Sequence, residues 1–333
     1  MKSQSFELKN IYIDSVGIVV SKREKEGPLG KYFNKYISDY YFDCDTFEKA
    51  QIKLSKTAIV EALLNSKYEI NDIELAVGGD LSNQIFSSTS SIKEFMFPYI
   101  GNYAACACGV LSIIIASIYI NQTNIENALT FTSSHLCVSE RQFRYPNEYA
   151  NICKDSTTST ITGACAIILT NKEKNIKVSK ATVGKVIDVL SKNVNDMGTC
   201  MAYAAIDTFT THLLNNNETL DDYDLIVTGD LSKVGSCVFI DELKDKYIGI
   251  ESKYFDCGNN IYKSDQNTFS GGSGPACVMC VTFSYIYKML QKQKINKVLI
   301  IATGALHSQI SFQQKESIPC IAHAIVLEVI KWF

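Results

Sequence analysis

The chain has 333 residues, 46% of them hydrophobic, with 32 Lys and Arg against 35 Asp and Glu for a formal net charge of −3, so it carries a large core and is not a disordered chain. Its basic residues form no stripe that would track a phosphate backbone, which argues against nucleic acid as a partner. Twelve cysteines without the spacing of a disulfide framework, and a start, MKSQSFELKNIYIDSVG, without an apolar leader core, predict free thiols in a reducing, cytoplasmic-type compartment.

The first clear element is DTFEKAQIKLSKTAIVEALLNS, a helix with Asp45 as N-cap and Glu48 closing a capping box. Phe47, Ala50, Leu54, Ala58 and Ala62 follow at helical spacing. ELAVGGDLS, residues 74–82, opens with a short apolar run that predicts a strand covered on both faces, and Asp80 stands just past its end. YAACACGVLSIIIASIYI, Tyr103 to Ile120, runs eighteen residues without a charge and reaches the lower limit for a membrane span. It has no basic flank, and its first third is built of small residues, so the expectation is a helix buried on all sides of a soluble domain. A strand, NALTFTSS, follows.

SSHLCVSERQFRYPNEY, residues 133–149, concentrates two arginines, two glutamates, a histidine and three aromatics. A helix beginning after His135 turns Arg141 and Arg144 roughly the same way until Pro146 ends it. Glu140 and Arg144 stand four apart in the favourable order, worth only ~0.2–0.5 kcal/mol as an exposed pair. Next come the strand GACAIIL, the polar connector TNKEKN with a half boundary at Asn171 to Asn175, and a helix over Met197–Leu214 stopped by the run Asn215 to Asn217. DLIVTGDLS, SGGSGPA, a long apolar helix, KVLIIATG and CIAHAIVL complete the chain. Cys277 and Cys280 make a C-x-x-C with no second pair or spaced histidine, and read as small residues on a buried helix.

Much of this order occurs twice. ELAVGGDLS at 74–82 returns as DLIVTGDLS at 224–232, and GACAIIL at 163–169 returns as IAHAIVL at 321–327. Between these anchors each half has a small-residue turn, an apolar helix and a strand. The period predicts two copies of one unit, residues 1–172 and 173–333, stacked around a shared helix layer in an α/β arrangement.

A cysteine at the turn before a buried helix in a duplicated α/β unit resembles the thiolase and ketoacyl synthase superfamily, with AACACGV around Cys106 at its nucleophile position. EKEGPLG, GGDLSNQI, SSHLCVSERQFRYPNEY, TITGACAIIL, NDMGTCMAYAAIDT, YDLIVTGDLSKVG, FDCGNNIY and ATGALHSQISFQQKESIPCIAHAI together resemble the stage V sporulation protein AD family over nearly the whole chain. That resemblance implies a thiolase-like fold, two pseudo-symmetric halves forming a five-layer αβαβα sandwich. It also implies non-catalytic binding of dipicolinic acid (pyridine-2,6-dicarboxylate) or its calcium chelate, beside integral membrane SpoVA proteins at the forespore or spore inner membrane. No organic cofactor is implied, and a homodimer is expected by superfamily analogy.

Thiolase chemistry needs a thiolate, a base and oxyanion donors. Cys106 near a helix N-terminus is placed for a lowered pKa; the alternative is a small residue that permits close packing. Where the superfamily offers histidine or asparagine, this chain has Ser273, Gly274 and Pro275 in one turn and Gly229, Asp230 and Ser232 in the other. Of the four histidines, His212 is expected on an exposed helix and His323 in a core strand. His307 is the one candidate base, which keeps open a second reading, a cysteine-dependent acyltransferase with a Cys106–His307 dyad. For the binder, Arg141 and Arg144 are the bidentate carboxylate donors or else scaffold partners of Glu140 and Glu148. The resemblance further assigns Cys106, His135, Glu140, Asp230, Gly272 and Ser273 to the ligand site, and leaves Asp80 and Asp230 to assist calcium held by the ligand's own carboxylates.

Overall fold

The computed structural model describes residues 4–143 and 153–330. Five strands of the first half lie in the order Tyr99–Gly101, Leu75–Asp80, Asn127–Ser134, Gly163–Thr170, Tyr12–Ser21. Five of the second lie in the order Tyr254–Asp256, Leu225–Thr228, Lys297–Ala305, Cys320–Val329, Ile176–Val183. In each set the first three strands are parallel and the next two pairings antiparallel, so the expected duplication is a property of the topology. The two sets join at the single antiparallel pair Tyr12 and Lys177.

Three apolar cores separate the layers. The largest lies between the two sheets and contains the Cys108–Gln122 helix and the Pro275–Val281 helix. One outer core sits under the Phe47–Leu64 helix, the other under Met197–Asn216 and Ser232–Leu243. The sequence is therefore a helix–sheet–helix–sheet–helix sandwich. The apolar stretch Ala105–Gln122 has the length and composition to cross a membrane, yet 61% of it is buried inside the protein, in the central layer. Cys277 and Cys280 are wholly buried on the second central helix, as the sequence predicts.

Local chemistry repeats with the strands. A 3-10 turn with a reciprocal capping box precedes the first parallel strand of each half, Ile70–Asp72 with Glu69 and Leu220–Asp222 with Thr219. One residue before each of these strands a carboxylate caps the neighbouring one. Glu74 Oε2 accepts from the Glu126 and Asn127 amides at 2.6 and 3.2 Å, and Asp224 Oδ2 from Asn296 and Lys297 at 2.6 and 3.1 Å. Gly17 is required because a Cβ there would stand 2.1 Å from the Ala58 carbonyl oxygen, so the strand lies directly against the outer helix.

Three sequence expectations are corrected. The first long helix is capped by Thr46, which accepts from the Lys49 amide, while Asp45 is left as an exposed ion-pair partner of Lys49. The Met197–Asn216 helix continues two residues into the asparagine run and stops at Asn217, which is left-handed (φ 52°) and so ends the helix. His212 is fully buried: one ring nitrogen meets Thr182 Oγ1 at 2.6 Å, the other Tyr223 Oη at 2.8 Å.

His212 belongs to a cluster around Glu218, which pairs with Lys180 at 2.7 Å and Lys297 at 2.6 Å and accepts from Tyr223 Oη at 2.5 Å. Burial pushes the Glu218 carboxyl up, but His212, the two lysines and Tyr223 outweigh it and hold the group well below the ordinary carboxylate range. A depressed carboxyl contributes stability above its unfolded pKa that is lost as pH falls through the folded one. Glu218→Gln is expected to lower unfolding free energy by about 3 kcal/mol at pH 7 and to flatten its decline between pH 5 and 3, as read by urea melts.

Candidate functional site

The two central helices begin close to each other, and the site forms between their first turns. Cys106 sits in the 3-10 turn Ala105–Ala107, immediately before the Cys108–Gln122 helix, with Ala105 in the left-handed region at φ 48°. Gly304 makes that turn fit, since a Cβ on it would stand 2.2 Å from the Ala104 carbonyl oxygen. Opposite, Gly274 at φ 101° turns the chain from the Gly271–Ser273 strand into Pro275 of the second central helix. Asp230, 1% exposed, follows the Leu225–Thr228 strand and lies against the Cys106 thiol. Thr303 Oγ1 donates to Asp230 Oδ1 at 2.5 Å, and the Gly274 amide serves both Asp230 and Cys106. Among the described residues the buried Asp230 Oδ2 has no hydrogen-bond partner.

This geometry corrects the expectation that the helix terminus activates Cys106. Burial, then the Asp230 charge, push its thiol well above the ordinary range, with only the Gly274 amide in opposition. Burial raises Asp230 to about 6 despite hydrogen bonds from Thr303, Cys106 and Gly274. Behind it, burial raises Asp256 to about 7, although Thr228 Oγ1 and the Leu231, Ser232 and Asn259 amides all donate to it.

A cavity of about 80 Å³ opens at Cys106. Ser139, Glu140 and Phe143 of the Leu136–Phe143 helix form one side; Val194, Asn195, Met197 and Met201 form another. Thr158 and Thr160 pair in parallel with Gly271 and Ser273 in a two-stranded sheet, which aligns three hydroxyl side chains along a wall. Ala305 and His307 complete the lining. Burial lowers the His307 imidazole, and no hydrogen bond joins it to the Cys106 thiol, so the two share a cavity without forming a dyad.

Of the residues expected from the sequence, the structure brings Cys106, Glu140, Ser273 and His307 to this cavity, with Asp230 directly behind the sulfur. Four others stand elsewhere. His135 is fully buried, its Nδ1 accepting from the Cys137 amide and its Nε2 donating to the Tyr40 carbonyl at 2.8 Å, so no ring nitrogen remains for a ligand. Arg141 pairs with Glu48 and borders a separate, wider groove. Gly272 packs against Ile261 and passes its carbonyl to Ser232 Oγ. Asp80 accepts from the amides and hydroxyls of Ser82 and Ser88, which saturates it and removes it from any cation. Arg144, with Glu148, lies outside the described residues. Among the described residues no group of three or more His, Cys, Asp or Glu is arranged to hold a metal. His323 is the core residue expected, accepting from the Gly184 amide at 3.2 Å, with its imidazole pushed down to about 4 by burial.

Sequence reasoning missed the hydroxyl wall and the Val194–Met201 side. The run STTST at 156–160 was the available signal, a cluster of small polar residues leading into a buried strand.

Solved structures with this architecture include an OleA variant from Xanthomonas campestris, 12% identical with a TM-score of 0.64 over 96% of this chain and 97% of that one. Another is 3-oxoacyl-[acyl-carrier-protein] synthase III from Aquifex aeolicus, 13% identical with a TM-score of 0.56 over 96% and 99%. The fold is thus thiolase-like, with the Cys106 turn at the start of its first central helix. Within that class, the family model for stage V sporulation protein AD (SpoVAD) matches residues 2–328. Stage V sporulation protein AD of Bacillus subtilis (strain 168) is 41% identical over 318 residues, 96% of this chain and 94% of that protein. The chain belongs to the stage V sporulation protein AD family.

Because Gly304 admits the Cys106 turn, Gly304→Ala should displace it. The expected cost is about 1–3 kcal/mol in a chemical melt, with altered near-UV dichroism from Tyr103 beside the turn.

Proposed function

We propose that this chain is a non-catalytic binder of dipicolinic acid or its calcium chelate, with the cavity at Cys106 as the site. In this reading it serves solute entry into the developing spore and release at germination. Its partners are integral membrane SpoVA proteins, and it associates peripherally with the forespore inner membrane. Membership of a sporulation family supports the setting. The observation that carries the reading is the cavity itself: a compact space of about 80 Å³, room for about five to eight waters, lined by hydroxyls, the Glu140 carboxylate and one imidazole that makes no hydrogen bond to the thiol. Such a space suits a small planar acid, whose ring stacks on apolar side chains and sulfur while its carboxylates accept from Thr158, Thr160, Ser273 and His307. The Glu140 and Asp230 carboxylates favour a ligand that arrives with its own cation or proton.

His307 in the same cavity is the one observation that favours the rival, a cysteine-dependent acyltransferase. That enzyme would gain an acyl group on Cys106 when incubated with coenzyme A thioesters, visible as a mass increment absent from Cys106→Ser.

Titration calorimetry should give saturable binding of dipicolinate, alone or with equimolar calcium. Ala305→Phe, which fills the space, should abolish it, and His307→Ala should weaken it roughly tenfold, about 1.4 kcal/mol. Absence of heat and of a thermal shift with both forms, or an acyl adduct on Cys106, would overturn the proposal.

A further inference from the structure

Three of the four histidines are held in place. His135 is fixed by the Tyr40 carbonyl and the Cys137 amide, His212 by Thr182 and Tyr223, and His323 by the Gly184 amide. His307 is the exception. It is only 5% exposed, yet among the described residues its ring makes no hydrogen bond. Phe312 backs the ring edge-on, with centroids 6.2 Å apart, from the Gln309–Gln313 helix, which buries none of its residues. A buried imidazole with no fixed partner, on a weakly packed support, is able to change rotamer where its surroundings leave room.

Room exists on both sides. His307 lines the Cys106 cavity and also a second space, an outer cleft of about 540 Å³. The cleft lies at the ends of the Leu75–Asp80, Tyr99–Gly101 and Lys297–Ala305 strands, where exposed Asn83, Gln84 and Ser308 open it to solvent. The wall between the two spaces is one side chain thick: Leu81 lines the cavity and Ser82 the cleft, Phe143 the cavity and Gln142 the cleft, Ala305 the cavity and Leu306 the cleft. Parts of that wall are pinned. Ser82 donates to Asp80, and the Leu306 amide donates to the Pro319 carbonyl at 2.8 Å. Away from this wall the cavity has a separate edge of partly exposed residues, Glu140, Val194, Asn195 and Met197.

We propose that the Cys106 cavity is the inner part of a two-ended passage with the His307 side chain as its door. With the ring in place, the cavity meets solvent past Asn195; with the ring turned aside, it joins the outer cleft. The inference rests on the cavity being the ligand site and adds that a small acid has separate ways in and out. Such a passage suits a protein that takes a solute from one side and hands it on at another, whereas a pocket with one mouth returns its ligand where it came from. Among the described residues no charged side chain lines the outer cleft, so it offers an anion no ionic trap on the way through.

The rate at which iodoacetamide alkylates Cys106, resolved by peptide mass spectrometry at pH 8, reports access to the cavity without any need for dipicolinate. Asn195→Trp narrows the solvent edge and should slow Cys106 roughly tenfold or more against native, with the exposed Cys237 as internal reference. His307→Ala removes the door. In that background the same Asn195→Trp change should slow Cys106 less than about threefold, because reagent now arrives through the cleft, and adding Gln142→Trp should restore the full block. Each comparison is made within one His307 background, so any effect of the imidazole on the thiol itself cancels. The proposal is overturned if Asn195→Trp slows Cys106 equally in both backgrounds, whether strongly or not at all. It is equally overturned if Gln142→Trp changes the open-door rate less than about twofold. Val194→Trp and His307→Ser take the place of any variant that does not fold, as judged by its melting temperature. Failed calorimetry with dipicolinate would remove the ligand and leave this access pattern intact, whereas a failed access cycle with normal calorimetry would keep the binder and remove the second opening.

Discussion

An apolar helix needs cover on most of its surface, and Cys108–Gln122 has it: Val110, Ile113, Ile114 and Ala116 are fully or almost fully buried, while Ile118 and Tyr119 near its C-terminal end are 38% and 40% exposed. One sheet covers only part of it. Two sheets with a second apolar helix beside it cover most of it, and the duplicated half provides both. From this enclosure the other features follow. The first turns of both central helices lie at the middle of the molecule, where strand ends from both halves converge and polar side chains have few exits to water. Groups placed there are judged by whom they touch.

The fold was legible because its signals are periodic. The repeated ELAVGGDLS and DLIVTGDLS gave the parallel strands, and the chargeless stretch from Tyr103 gave the central helix, since each depends on burial that hydrophobic pattern records. Errors fell where a single hydrogen bond decides. Asp45 and Thr46 are both good caps, and only the observed backbone chooses Thr46. His212 looked exposed because its helix carries polar neighbours, but its partners Glu218 and Tyr223 lie in the connection that follows the helix.

The site was legible in part. Cys106, Ser273 and His307 follow turns whose position the repeat fixes, so the sequence could bring them together. Asp80 and Asp230 looked equivalent and are not, because the difference lies in Ser88 against Val238 and in where Ser232 points, information held eight residues away. His135 and Arg141 drew notice through their chemistry, yet their partners Tyr40 and Glu48 come from a segment some ninety residues earlier. The hydroxyls of Thr158 and Thr160 are marked only by the run STTST, since threonine in a strand more often reads as β propensity than as a site.

The acid that starts each parallel strand, Glu74 in one half and Asp224 in the other, is tied to its neighbour in the same way, whereas the acids that end those strands have parted company. A gene duplication leaves two drafts of one design, and here the drafts agree at the end that anchors and disagree at the end that borders the Cys106 cavity. Chimeras that exchange only the strand-end loops between the halves would therefore transplant chemistry while leaving architecture alone, which makes this scaffold a natural host for building paired, dissimilar sites from one ancestral unit.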